Sequence, residues 1–349
     1  MFFRNSETYR SFNEGGTMKS ILFIIRIIFL LLLPLHIFGQ GFAKVGTVGA
    51  KFLDIGVGSR SAGMGGAFTA VTDDATSFYW NPAALTRIDG KDFFISDIEW
   101  IADIRLIAGA YCQKFSFGNV GVFLELLDSG TMFETTESSF DGTGATFTYQ
   151  AYQVGFGFAK MFTDKFSFGF NLKAIQENYT YEKATNFAVD IGTFYYTGWR
   201  TLRLGMSMCN FGPEMKPSGT FDNWQGGTYI DPATGEEMVS AYSAYSLPLL
   251  FRIGLAMEVI TLPNQMLTLA FDIVHPPDNL ERYNFGMEYT LLKMLCLRSG
   301  YEINKDEGGY SAGCGIKYRM KNTLMKVDYA FADFGRLPDI HRISVGYAF

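Results

Sequence analysis

The amino-acid sequence predicts an all-β fold, specifically a transmembrane antiparallel β-barrel of about 14 strands with an amino-terminal hatch in its lumen. Three observations lead there. The 349 residues include 34 Phe, 19 Tyr and 38 Gly against 4 Trp, a balance that favours strands and tight turns over helices. Beyond residue 40 no run of about 18 apolar residues occurs, so no helix is long and apolar enough to span a bilayer. A period of two recurs instead. Phe166, Phe168, Phe170 and Leu172 share one face while Ser167, Gly169, Asn171 and Lys173 share the other, and the stretches from Phe251, Met325 and Ile343 repeat the pattern. A soluble sandwich also alternates. Here, however, the apolar face is bulky and aromatic while the other mixes glycine with charge, as lipid outside and a polar lumen inside require. The alternating segments run for about 9 to 12 residues, the length of a tilted membrane strand.

Taken in chain order, the first element begins at Met18 and reads MKSILFIIRIIFLLLLPLHIFGQG. Lys19 supplies a basic start, Ile21 to Leu33 an apolar stretch broken by Arg26, and Pro34 leads to small polar residues, the layout of a secretory signal peptide. A membrane anchor is the competing reading, but the stretch is short, carries an arginine and is soon followed by proline. Residues 1–39 are therefore read as a signal peptide cleaved near Gly39 and Gln40, with Met18 as an alternative start.

Residues 40–91 form the second element, a compact segment small enough to sit inside a barrel. Its glycines Gly56, Gly58, Gly63, Gly65 and Gly66 could suggest a nucleotide cradle, but no βαβ unit surrounds them and no P-loop lysine follows. They are expected instead to permit close backbone packing, with Asp73 and Asp74 capping a short helix and Asn81-Pro82 starting another. Asp73 and Asp74 could also tie the hatch, with Arg60 and Asn81, to inward-facing wall residues.

The third element, residues 92–349, is the barrel. Alternation places strands near 92–98, 103–112, 116–127, 144–162, 165–178, 185–196, 201–210, 249–260, 266–274, 281–291, 294–303, 308–318, 322–331 and 340–349. Connections from even to odd strands are short, such as Thr163-Asp164 and Arg319 to Lys321, whereas the two longest, 128–143 and 211–248, both follow odd strands. That parity matches short periplasmic turns and long external loops. The final aromatic residue, Phe349, suits recognition by barrel-assembly machinery.

Other function classes are disfavoured. A net charge of -6, a pI near 5.2 and no basic cluster leave nucleic acid without an electrostatic footprint. His36 lies in the removed segment, and His275 and His341 are expected in separate external loops, so no pair has metal spacing. No serine or cysteine has a catalytic neighbourhood, and neither enzyme activity nor a cofactor is expected. Cys112, Cys209, Cys296 and Cys314 fall in strands, with Cys296 beside Arg298 on the polar face and Cys314 beside Ile316 on the apolar one; all four are read as free packing residues. Inward charges Arg252, Glu258, Glu288, Arg298, Glu302, Lys317, Lys326, Asp328 and Arg342 are expected to form a network that fills the lumen and anchors the hatch rather than a conduction path.

Residues 52–85, FLDIGVGSRSAGMGGAFTAVTDDATSFYWNPAAL, resemble the amino-terminal signature of the PorV/PorQ family, outer-membrane proteins of the type IX secretion system. The likeness runs through Gly56, Arg60, Gly63, Gly65, Gly66, Ala67, Asp73, Asp74, Trp80, Asn81, Pro82 and Leu85. That family is similar in turn to the FadL fatty-acid transporters, with fourteen strands and a lumenal hatch. The resemblance implies a place in the outer membrane of a Gram-negative bacterium, with lipid around the barrel, and a non-enzymatic role as cargo shuttle or attachment-complex component. The implied partners are type IX cargo signal domains, the sortase and translocon components. The alternative it implies is passive, FadL-like transport of hydrophobic small molecules, to which the loop residues Tyr242, Tyr245, Leu247 and Leu249 are suited. Membership of one subfamily or the other is left open.

Overall fold

A computed structural model describes residues 46–180, 182–218, 220–222 and 239–349. The expected signal peptide lies outside the described residues. Fourteen strands close into one antiparallel barrel. They are β1 Lys91–Glu99, β2 Arg105–Phe115, β3 Gly118–Phe133, β4 Thr146–Thr163, β5 Phe166–Tyr179, β6 Glu182–Tyr196 and β7 Arg203–Phe211, then β8 Leu250–Leu262, β9 Gln265–His275, β10 Arg282–Leu291, β11 Leu295–Ile303, β12 Tyr310–Met320, β13 Thr323–Ala332 and β14 Ile340–Ala348. Every strand pairs with its sequence neighbours, and β1 pairs with β14 to close the ring. Between β7 and β8 the long connection carries a two-stranded ribbon, Thr220–Asp222 with Val239–Ala241.

The solvent that these strands fit follows from which residues they hide. Leu172, Ile316 and Ile343 are 52%, 53% and 56% exposed, while Asn171, Asp272, Glu288 and Arg298 are between 0% and 4% exposed. Water outside would leave the exterior apolar and the interior charged, the reverse of a soluble domain; hydrocarbon outside makes both faces consistent. Phe349 joins the closure through its backbone, donating its N–H to Lys91 O (2.9 Å) and accepting from Lys91 N–H (2.8 Å).

Strand boundaries depart from expectation mainly at β3, which runs on to Phe133, so the following loop is shorter than the expected 128–143. Alternation breaks at Asp128, Ser129 and Gly130, where the register shifts before Thr131–Phe133 rejoins Thr146–Thr148. The two histidines are also placed differently. His275 is the last residue of β9, one position beyond the strand expected at 266–274, and His341 is the second of β14, inside the strand expected at 340–349, so neither stands in a loop.

Residues 46–90 fill the lumen. They contain two short helices, α1 Ser59–Gly63 and α2 Ser77–Trp80, and 3-10 turns at Lys51–Asp54 and Pro82–Arg87. So little regular structure leaves many backbone groups that the hatch cannot satisfy alone, and buried backbone groups need partners.

Candidate functional site

The wall presents glycine at several points where it meets the hatch closely. A Cβ on Gly205 would lie 2.5 Å from Thr69 O, one on Gly169 2.5 Å from Pro82 C and one on Gly286 2.6 Å from Met64 O. Gly192 abuts the Asn81 side chain and Gly300 abuts Met64 and Gly65, both well inside van der Waals contact for any added carbon. The hatch answers with its own glycines. A Cβ on Gly63 would lie 3.1 Å from the Gly313 Cα, and one on Gly65, at φ +62°, 2.7 Å from Tyr301 N. A Cβ on Gly66, at φ +71°, would lie 2.8 Å from the Asn284 amide, and one on Gly56 3.0 Å from the Trp80 ring.

Polar wall side chains then bond the hatch backbone. Asp272 accepts from Phe68 N–H (2.9 Å) and Thr69 N–H (2.8 Å), and Asp92 accepts from Ala75 N–H (2.8 Å). Asn171 donates to Phe78 O (2.8 Å), Arg203 to Ala70 O (2.7 Å), Arg342 to Gly56 O (2.6 Å), and Asn119 to both Leu85 O and Ile88 O (2.8 and 2.9 Å). From the hatch, the Asn81 amide donates to Thr69 O and to Thr193 O on the wall (3.1 and 3.0 Å), and its oxygen accepts from Ala83 N–H, starting the turn at Pro82. The Trp80 indole donates to Val57 O (2.9 Å).

The charged centre is Arg60. It forks onto Glu288 of β10 through Nε and Nη2 (2.8 Å each) and reaches Asp73 through Nη1 (2.5 Å). Arg298 bridges Glu288 (2.6 Å) to Asp328 (2.7 Å), so one chain of charges runs from hatch to three strands. Glu258 is held by Arg203 (2.6 Å) and Glu302 by Arg282 (3.5 Å), while Lys317 forms no ion pair among the described residues. Asp73 and Asp74 divide the roles expected of both. Asp74 accepts from Thr76 N–H (3.1 Å) just before α2 and also faces Lys326 of the wall (3.6 Å). Asp73 makes no cap; it pairs with Arg60 and more distantly with Arg87 (3.9 Å).

Loss of water in the lumen pushes the Asp73 carboxyl up, but the Arg60, Arg87 and Lys326 charges outweigh it and hold it well below the usual carboxylate range. A depressed folded value means that its contribution is complete above the ordinary value of about 4 and is lost only as pH falls through the lower folded one. Acidification from about pH 7 to about pH 5 is therefore expected to leave the Asp73–Arg60 pair intact, so that the stability difference between the parent and an Asp73→Asn variant, read by denaturant unfolding in detergent, stays the same at both pH values. The Asp73→Asn/Asp74→Asn variant, by contrast, is expected to assemble and to show new conductance at pH 7.

Above the hatch, at the long-loop end, lies an open vestibule of about 600 Å³. Its floor is Gly56, Gly65, Gly66 and Trp80, and its rim comes from the β1–β2, β9–β10, β11–β12 and β13–β14 connections, through Trp100, Pro276, Lys305 and Phe334 among others. The volume suits a small organic ligand. Two smaller cavities beside the hatch hold only about 20 and 10 Å³, about one water each, and neither extends the vestibule past its floor. At one side Glu177 of β5 accepts from Tyr179 (2.9 Å), from Tyr245 of the long loop (2.6 Å) and from Tyr149. Tyr245 and Leu247 thus pack inward, while Leu249 is 37% exposed. Cys112, Cys209 and Cys296 are buried, Cys314 is exposed, and all four are free. Among the described residues no group of His, Cys, Asp and Glu is arranged to hold a metal ion.

Sequence reasoning reached the hatch motif and most of the inward charges. It missed Asp272, Asn171 and Asn119 as backbone clamps, although each is a polar residue on the inward face of an aromatic strand. It also missed the vestibule, whose wall is assembled from four connections far apart in sequence.

Among solved structures the chain is similar to the Ralstonia pickettii toluene transporter TbuX, with a TM-score of 0.57 and 13% identity over 84% of this chain and 97% of that one. The CymD monoaromatic hydrocarbon channel gives 0.56 and 14% over 84% and 98%, and a Pseudomonas aeruginosa FadL homologue 0.54 and 11% over 84% and 98%. No protein-family model and no curated protein matches the chain, so the PorV/PorQ resemblance stands on residues 52–85 alone. What the comparisons establish is the fold: a FadL-like barrel of fourteen antiparallel strands.

Proposed function

We propose that this chain is a non-enzymatic outer-membrane barrel that admits hydrophobic small molecules passively from outside, through the vestibule above its hatch. The observation that carries this reading is the vestibule itself. It is open at the long-loop end, floored by Trp80, and bordered by Trp100 and Phe334. The solved proteins of the same fold are named as toluene and monoaromatic hydrocarbon transporters or channels, which supports the reading. The apolar exterior and loop parity support a place in the outer membrane of a Gram-negative bacterium.

Uptake of a labelled monoaromatic hydrocarbon by cells with and without the gene tests it. Cells carrying the gene are expected to take up the probe about tenfold faster at limiting concentration, and a Trp80→Ala/Trp100→Ala variant to lose most of that gain, as removal of two aromatic contacts worth about 1 kcal/mol each implies. Equal rates with and without the gene would end this reading.

A second reading is attachment or shuttling of cargo in type IX secretion. Its support is that the signature residues Gly63, Gly65, Gly66, Arg60 and Asn81 all make fixed hatch-to-wall contacts, so the hatch resembles a permanent plug more than a gate. Cargo signal domains, sortase or translocon components recovered by cross-linking in intact cells would favour it.

A further inference from the structure

The vestibule carries a pattern that a site for neutral hydrocarbon does not need. Three of its cations sit on aromatic faces: Arg252 over Trp80 (5.2 Å), Arg342 over Trp100 (5.8 Å) and Lys305 over Phe334 (4.2 Å). These contacts join into one rail. Trp100 meets Phe334 edge-on at 5.2 Å, and Arg342 donates to Gly56 O, beside the Trp80 ring.

None of the three cations forms an ion pair among the described residues. The vestibule carboxylates are engaged elsewhere. Asp54 and Asp278 hold Lys51 (2.6 and 3.0 Å), Glu302 holds Arg282, Glu307 holds Arg336, and Asp306 accepts from Asn279. Glu302 attracts Lys305 and Arg342 only at longer range. Burial holds the Lys305 ammonium below the ordinary lysine value, with Glu302 opposing it and the Arg342 and Arg282 charges adding to it.

Unused hydrogen-bonding capacity gathers at the same place. The Nε atoms of Arg282 and Arg342, Asn284 Oδ1, Ser311 Oγ and the carboxylate oxygens Asp54 Oδ1 and Glu302 Oε1 are buried without hydrogen-bond partners, and all six residues line the vestibule. Arg342 is only 7% exposed. Buried polar groups are ordinarily satisfied, so this concentration of donors and acceptors beside cations that hold no ion pair marks the vestibule as a place for a polar ligand group.

We infer that the vestibule binds a compact aromatic carboxylate, its ring against Trp80, Trp100 and Phe334 and its carboxylate toward Arg342 and Lys305. The floor at Gly65 and Gly66 closes the space in which a long chain would extend, so a flat ring with a single anionic head fits better than an extended acyl group. This assignment rests on the uptake reading and names the chemistry of what is taken up.

Titration calorimetry of the full barrel in a non-ionic detergent, with naphthoate and its neutral isostere naphthamide, separates the two. Wild type is expected to bind naphthoate about tenfold or more tightly than naphthamide, the scale of one charge-assisted contact. Lys305→Gln, a loop substitution that leaves every strand intact, is expected to bring the two affinities close together by weakening naphthoate alone. Arg342→Gln, at the other cation assigned to the carboxylate, provides a second reading of the same ratio. Equal affinities in wild type would overturn the carboxylate assignment and leave the uptake reading standing. A ratio preserved in both variants would also overturn it, and binding of neither probe would remove both readings.

Discussion

Replacing Gly300 by valine is expected to unseat the hatch. The added Cβ would enter the space of the Met64 carbonyl carbon and the Gly65 amide, which are backbone atoms and cannot swing away as a side chain would. Overpacking an ordinary core costs about 1–3 kcal/mol because side chains can shift; here the hatch backbone must leave its place or the barrel must fail to close. The expected result is loss of the compact, heat-modifiable form on gels. Any folded remainder should admit vancomycin, which a closed lumen excludes. Gly346→Ala is the matched control. Its nearest neighbour, the Lys326 side chain, lies 3.5 Å away, so that variant should fold and exclude the antibiotic like the parent.

Arg60→Met is expected to produce the second large loss. The substitution removes both forked hydrogen bonds to Glu288, which is 1% exposed, and leaves that carboxylate to Arg298 alone. Breaking a buried pair by deleting one partner costs about 3–5 kcal/mol, since the remaining charge stays desolvated. Because Arg298 stays in place, the lower end, about 3 kcal/mol, is expected from denaturant unfolding in detergent. Arg60→Lys should recover only part of this, as an ammonium keeps the charge but cannot fork onto two oxygens. Adding Glu288→Gln to Arg60→Met should cost less than the sum of the separate changes, the signature of residues sharing one network.

Much of the barrel was legible in the sequence because lipid outside and a crowded lumen inside write a period of two onto nearly every strand. Where that rule lapsed, so did the reading. The end of β3 was misplaced because the Asp128–Gly130 irregularity hides three further paired residues, and His275 was assigned to a loop because a polar strand end resembles loop, whereas His341 falls inside the strand expected at 340–349. The glycines teach a finer point. Their place on the inward face was evident, but their purpose was not, since contacts such as Gly300 with Gly65 join residues far apart in sequence. Asp73 and Asp74 could be read equally well as caps or as wall anchors. Geometry splits them, giving Asp74 both tasks and Asp73 to Arg60. The vestibule left no local trace, because no single segment contains more than a fraction of it.

The central claim is that wall side chains hold the hatch closed in the unliganded protein, and that ligands meet the protein above it. Hydrogen–deuterium exchange of the hatch, read by mass spectrometry with and without an aromatic probe, tests it most directly. The amides of Phe68, Thr69 and Ala75 are held by the wall carboxylates Asp272 and Asp92. Peptides covering them are expected to exchange as slowly as the barrel strands without the probe, and faster when the probe is present, because inward passage requires the floor to open. Rapid exchange of those amides without the probe would contradict the closed hatch, and protection unchanged by a bound probe would contradict passage through it.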